Sequence, residues 1–285
     1  MEKVPKINIS QKDTNDSVEF IRHSKSSYKT YGDILKSENP KAEFDKENQS
    51  TPDLTGAGIE MAKQEAESFF GKLNPDTDSL FIASSNEARA IETANIYRTI
   101  AHTKGFMILK PEHARSGLSE ELAEGEIRVI DSLSINSKYL LIESLFNSPA
   151  KRGDINWGAV EPEFKAKYDE ASKIIEADDQ GSYGGNLAKH GEKIKVIFPE
   201  IETAEELFNE QFQNLKRLAK FGVKKAQESG HEKNIKILAF GHENYLMHVI
   251  QDIFQEEGIN NCETMHIEVE GENIVANFRG KEANL

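Results

Sequence analysis

The sequence predicts an α/β fold: a three-layer sandwich with a mostly parallel central sheet, helices on both faces and an insertion over the site. Three observations carry the prediction. Apolar runs of strand length recur at about 17–22, 79–83 and 235–240. The last two lead within a few residues into stretches with apolar positions at helical spacing. Strand and helix then alternate along most of the chain, the pattern of parallel strands joined by crossover helices. No internal repeat and no clean linker divides the 285 residues, so one domain with an insertion is expected.

In chain order, residues 1–15 read as a flexible polar leader and 16–285 as the domain. The first strand covers about 17–22 and ends in Arg22-His23. Residues 37–51 are rich in Glu, Asn, Lys, Ser and Asp and read as a surface loop. Thr55 is an N-cap for a helix whose apolar face is Ile59, Ala62, Ala66, Phe69 and Phe70. Gly71 and the Asn74-Pro75-Asp76 turn close it. The second strand, 79–83, ends in Ser84-Ser85-Asn86, a capping run for a helix from about Glu87 to Thr103. A third short strand, 106–109, precedes a loop over 110–121. Residues from about 124 to 200 are less periodic and form the expected insertion, helical near 161–177. The less periodic residues include Gly181-Ser182-Tyr183-Gly184-Gly185. Thr203 caps a helix expected to reach about Glu228. Its early glutamates and late lysines suit the helix dipole, and Lys216 to Lys225 read as a solvated face. The strand at 235–240 runs through Gly241-His242 into a helix with Leu246, Met247, Ile250, Ile253 and Phe254 on one face. Met265 to Phe278 reads as two strands in a hairpin turning at 270–273.

Composition bounds the function. Hydrophobic residues make up 37% and charged residues 29%, enough for a core under a solvated surface. The net charge of −14 opposes nucleic acid and anionic membranes, so neither is expected as a partner. No apolar run approaches the roughly 18 residues of a membrane span. The leader lacks an apolar signal core, and the single cysteine, Cys262, cannot form a disulfide framework within the chain. A cytoplasmic location is expected. Oligomeric state is not legible.

The chemistry gathers at three strand ends. The first offers Arg22, His23 and Ser26, the second leads to Arg89, and the third gives His242. The carboxyl ends of parallel strands are where open α/β sheets hold ligands. Arginines fork onto anions, and helix N-termini add backbone donors. Histidine is a nitrogen nucleophile near neutral pH. The set suits a phosphate pocket, because phosphoryl transfer is catalysed mainly by positioning and charge stabilisation. No tight His, Cys or carboxylate cluster suggests a metal, and no cofactor is expected. His102, His113, His190, His231 and His266 read as surface residues, and His248 as outside the site. Trp157 and Tyr183 suit either a substrate lid or ordinary packing.

Five short runs follow in order: Arg22-His23-Ser24-Lys25-Ser26, Leu54-Thr55-Gly56-Ala57-Gly58, Ser84-Ser85-Asn86-Glu87-Ala88-Arg89-Ala90-Ile91-Glu92-Thr93-Ala94, Leu118-Ser119-Glu120 and Gly241-His242. Together they resemble the motifs of the histidine phosphatase superfamily, the phosphoglycerate mutase-like proteins. The first resembles its Arg-His-Gly signature and the second its Leu-Thr-x-x-Gly helix start. The third resembles its Ser-Ser-x-x-x-Arg-Ala-x-x-Thr-Ala block, the most specific of the five. The fourth resembles its Leu-x-Glu element and the fifth its second catalytic histidine.

The resemblance implies that His23 is the nucleophile of a phosphohistidine intermediate. Arg22, Arg89 and His242 would hold phosphoryl oxygens and Ser26 would add a hydroxyl. Glu120 would protonate the leaving oxygen and then activate water, with Glu121 and Glu124 nearby as other candidates. The implied activity is a metal-independent phosphatase acting on a small phosphorylated substrate. A mutase-like isomerase sharing the pocket, or a non-catalytic phosphate-binding descendant, stays open. Three departures stand out. Ser24 replaces the family glycine, where a Cβ and hydroxyl would either narrow the pocket or add a donor. Lys25 and Lys29 make the mouth more basic than in mutase-type members.

Overall fold

The computed structural model describes residues 17–26, 53–109, 126–130, 133, 142, 145–146, 156–177, 183–214, 217, 232–270 and 273–285. The expected leader, the loop at 37–51, Glu120 with its neighbours, and Lys216 with 218–231 lie outside them.

Among the described residues, eight strands form one sheet. They are β1 (Ser17–Arg22), β2 (Asp78–Ser84), β3 (Met107–Ile108), β4 (Ile127–Val129), β5 (Asn234–Gly241), β6 (Thr264–Glu270), β7 (Asn273–Phe278) and β8 (Lys281–Asn284). The order is β3-β2-β5-β1-β6-β7-β8, with β4 alongside the end of β2. Strands β1 to β5 run parallel, and β6, β7 and β8 continue antiparallel from β1. The central sheet is therefore mostly parallel, as the alternation predicts.

Alternate residues of β5 supply two cores, as the period of a strand requires. Ile235, Ile237 and Ala239 pack with Val18, Phe20, Phe208, Phe212, Leu246 and Ile250. Leu238 and Phe240 pack with Leu80, Ile82, Ala66, Phe70, Ala94 and Tyr97. The second set brings α1 (Gly56–Phe70) and α2 (Ala88–Thr103) onto one face. The first brings α5 (residues 204–214) and α6 (Glu243–Met247), which continues as a π-helical stretch His248–Ile253, onto the other. No helix of the described residues is long and apolar enough to cross a membrane.

Local chemistry explains the helix starts. The Thr55 side chain accepts from Gly58 N–H and caps α1. Thr203 forms a reciprocal capping box: its Oγ1 accepts from Glu206 N–H at 3.2 Å and its N–H reaches Glu206 Oε2 at 3.0 Å. The cap expected from Ser84-Ser85-Asn86 fails. Glu87 is the N-cap of α2 and makes no side-chain cap bond.

The span at about 124–200 holds more order than its composition suggests. It opens with β4, which joins the sheet, and contains α3 (Pro162–Glu176) and α4 (Tyr183–Ile197). Helix α4 starts inside the run Gly181 to Gly185, outside the stretch near 161–177 where the sequence points to helix. A Cβ at Gly184 would lie 2.9 Å from both Glu243 Cγ and Met247 Cγ, so the glycine permits close packing on α6. Trp157 and Tyr183 pack with Tyr168 and Phe146, at ring separations of 4.9 and 5.8 Å, in a separate helical core. Strand β8 was also missed. The turn before it, Arg279-Gly280, has φ of 50° and 75°, the positive pair that a two-residue hairpin uses.

Of the histidines read as surface residues, one is buried and another is only half-exposed and paired. His190 is buried on α4. His266 sits across from Glu19 in the β1–β6 ladder, and its ring bonds Glu19 and Glu268.

Candidate active site

The register of three strands assembles the site. Arg22 of β1 lies beside Gly241 of β5, and Phe240 of β5 beside Ser84 of β2. The next residue of each chain, His23, His242 and Ser85, therefore leaves the sheet at one edge. His23 and His242 are both buried, with ring centroids 5.1 Å apart in an edge-on arrangement.

His23 is held on every side of its backbone. Its N–H donates to Gly241 O at 2.9 Å, and its carbonyl accepts from Asn261 Nδ2 at 2.9 Å. Its ring Nδ1 lies 2.7 Å from the Ser24 carbonyl. A carbonyl only accepts, so Nδ1 carries the proton and Nε2 carries the lone pair. Burial pulls the ring down to about 3, against a smaller upward pull from the Ser24 carbonyl, and Arg89 and Arg22 add to the lowering. The imidazole is thus neutral with its nucleophilic nitrogen defined.

His242 shares that environment. Burial is the main cause that holds it well below the ordinary histidine value, with His23, Arg89 and Arg22 adding to it. Its Nε2 meets Ser85 Oγ at 2.9 Å. Its Nδ1 is buried with no hydrogen-bond partner among the described residues, as are Arg22 Nε and Ser26 Oγ. Three buried polar atoms of the predicted phosphate set thus share one property that an oxyanion would satisfy.

The arginines are braced by carboxylates. Arg22 Nη1 pairs with Glu243 Oε2 at 2.8 Å and donates to the Ile259 carbonyl. Arg89 Nη1 meets Glu87 Oε2 at 3.1 Å and Asp53 Oδ2 at 3.8 Å. Such partners fix a guanidinium's direction, which matters for planar recognition of a phosphate.

Ser24 and Lys25, just after β1, are clamped to both neighbouring helices. Ser24 N–H donates to Thr93 Oγ1 at 3.0 Å, and Thr93 in turn donates to Arg89 O at 2.7 Å. Ser24 Oγ donates to Gly58 O at 2.6 Å. The Ser24 hydroxyl thereby gives its one proton to α1 rather than to the phosphate set. Lys25 O accepts from Thr55 N–H at 3.1 Å and from the Thr55 hydroxyl at 3.3 Å. A Cβ on Gly58 would sit 2.1 Å from that carbonyl. The Leu-Thr-x-x-Gly run is therefore a docking element: its threonine grips the loop and its glycine lets the helix approach.

Of the predicted site residues, the structure brings Arg22, His23, Ser26, Arg89 and His242 to the ends of β1, β2 and β5. Glu120 lies outside the described residues, with Glu121 and Glu124. Sequence reasoning missed Ser85, Glu243, Asp53 and Asn261. Ser85 lies inside a motif, and Asp53 and Glu243 each adjoin one, which was the available signal. Asn261 carries none.

No protein-family model matches the chain, and no curated protein matches it. Solved structures do. A phosphoglycerate mutase from Bacillus anthracis is 13% identical, with 94% of this chain and 95% of that chain covered, at a TM-score of 0.45. A phosphoserine phosphatase from Entamoeba histolytica is 12% identical, covering 94% of each chain, at 0.39. A multiple inositol polyphosphate phosphatase from Bifidobacterium longum is 13% identical, covering 99% of this chain and 88% of that one, at 0.43.

Proposed function

We propose that this chain is a metal-independent phosphatase that hydrolyses a phosphomonoester through a phosphohistidine on His23. The observation that carries the reading is the His23 Nδ1 contact to the Ser24 carbonyl, 2.7 Å, in a ring that burial keeps neutral. The contact leaves the lone pair on Nε2, the atom that attacks phosphorus.

In the first step the Nε2–P bond forms and the P–O bond to the leaving group breaks. Nδ1–H stays on the carbonyl, which stabilises the positive charge gained by the phosphorylated ring. Arg22, Arg89, Ser26 Oγ and His242 Nδ1 hold the phosphoryl oxygens. Glu120 gives its proton to the departing alkoxide. In the second step Glu120 takes a proton from water, the water oxygen attacks phosphorus and the P–N bond breaks, which releases phosphate and restores neutral His23. The partner in this reading is a small phosphorylated substrate, and the setting is the cytoplasm.

The test is phosphate release from para-nitrophenyl phosphate and a panel of phosphorylated metabolites, in EDTA, by wild type and H23A side by side. EDTA-resistant turnover that disappears in H23A supports the reading. No turnover of any compound by wild type removes it.

A further inference from the structure

Helix α2 turns one face to the loops around the candidate phosphate site. Arg89, Glu92 and Thr93 are three and four positions apart and share that face. Thr93 grips Ser24 N–H, and Arg89 lies among the predicted phosphate ligands. Glu92 has no part in the chemistry above, yet it is a buried carboxylate, 6% exposed. Its Oε1 accepts from Asp53 N–H at 3.4 Å and its Oε2 from Leu54 N–H at 3.1 Å. Burying a carboxylate is costly unless its oxygens are satisfied, and here both are spent on one dipeptide.

That dipeptide reaches two predicted phosphate ligands. Asp53 Oδ2 lies 3.8 Å from Arg89 Nη1. Leu54 pairs with Ser26 in an isolated antiparallel bridge. We propose that Glu92 is a positioning residue for phosphate binding, which suspends residues 53–54 from α2 and through them sets Arg89 and Ser26 toward the phosphoryl group. The proposal rests on the phosphate-site reading given above.

A glutamine at this position fills the same space. Its amide nitrogen, however, would face a backbone N–H where a carboxylate oxygen now accepts. By Coulomb's law alone, deleting a negative charge near an anion site tightens anion binding. The positioning role predicts the opposite sign, so the two effects separate cleanly. Burial, with Asp53 as the neighbouring charge, raises the Glu92 carboxyl to about 7. The other charged group at hand is Arg89, one turn back on α2. The ionised form makes both bonds, so the support is present above about pH 7 and fades below it.

The experiment is calorimetric titration of inorganic phosphate into wild type, E92Q and E92D at about pH 8, repeated at about pH 6. The expected result is an affinity about tenfold weaker in E92Q at the higher pH, from loss of a charge-assisted bond, with E92D in between. The wild-type to E92Q ratio, in which the titration of phosphate itself cancels, should shrink at the lower pH. Equal or tighter binding by E92Q, or a ratio that ignores pH, overturns the inference while wild-type binding leaves the phosphate site intact. Wild type that binds no phosphate overturns both. Should E92Q fail to fold, as judged by circular dichroism, wild-type affinity in E92D overturns the inference in its place.

Discussion

His242 Nε2 and Ser85 Oγ lie 2.9 Å apart, across the junction of two adjacent parallel strands. Ser85 Oγ also accepts from Glu87 N–H at 3.4 Å and still has its own proton to give. When it gives that proton to the imidazole, Nε2 accepts and Nδ1 carries the hydrogen. A histidine that burial keeps neutral can still donate to a phosphoryl oxygen by this route.

Replacing Ser85 with alanine removes the bond that sets the ring and its tautomer. A hydrogen bond of this kind contributes ~1 kcal/mol, so S85A should lower kcat/KM for a phosphomonoester about fivefold to tenfold. Steady-state kinetics on the folded variant measures it. An unchanged kcat/KM would show that Ser85 does not orient His242.

Ser24 donates to Gly58 O from a fully buried position. S24A leaves that carbonyl short of a donor and should cost ~1 kcal/mol of unfolding free energy, read from the midpoint of a urea transition. The loss should fall on stability more than on kcat. A selective fall in phosphate affinity at unaltered stability would instead make the Ser24 hydroxyl a ligand.

Gly58 faces the Lys25 carbonyl with no room for a methyl group. G58A must push α1 away from the loop that follows His23, at a cost of about 1–3 kcal/mol. Because Thr55 grips the same carbonyl, activity should fall together with stability. Wild-type melting and turnover in G58A would mean that the contact is slack.

His266 supplies a pH dependence away from the site. Its bond to Glu19 is the main cause that raises it from the ordinary 6.5 to about 9, with Glu268 adding to the effect. A group whose value is raised by folding stabilises fully below its unfolded value and loses that contribution as pH climbs through the folded one. Stability should therefore decline between about 6.5 and 9, and the decline should flatten in H266Q. Thermal melts across that window measure it, and a slope unchanged in H266Q would place its origin elsewhere.

The parts of the fold legible in the sequence are those where local pattern and burial agree. The runs behind β1, β2 and β5 are apolar, short and bounded by polar residues, and they lie at the centre of the sheet. The placement of Arg22, His23, Arg89 and His242 followed from them, since parallel strands put their following residues on one edge. Helix α4 stayed hidden because a glycine pair at its start signals loop, whereas the structure uses Gly184 for a contact with α6 that no local window contains. Asn261 braces the His23 carbonyl from 238 positions away, and Glu92 holds residues 38 and 39 positions earlier. Such bonds leave no periodic trace. The helix begins later than the Ser84 to Asn86 run suggests: Ser85 Oγ reaches only the N–H of Glu87, the N-cap residue itself, and meets His242 across the sheet.

In the proposed reaction His23 becomes phosphorylated. The direct measurement is rapid alkaline quenching of the enzyme during turnover, followed by mass spectrometry of the peptide that contains residue 23. A phosphohistidine intermediate appears there as an added phosphoryl group on His23, stable to base and lost in acid, and absent in H23A. Efficient hydrolysis by wild type with no such adduct at any quench time, or equal turnover by H23A, would contradict it.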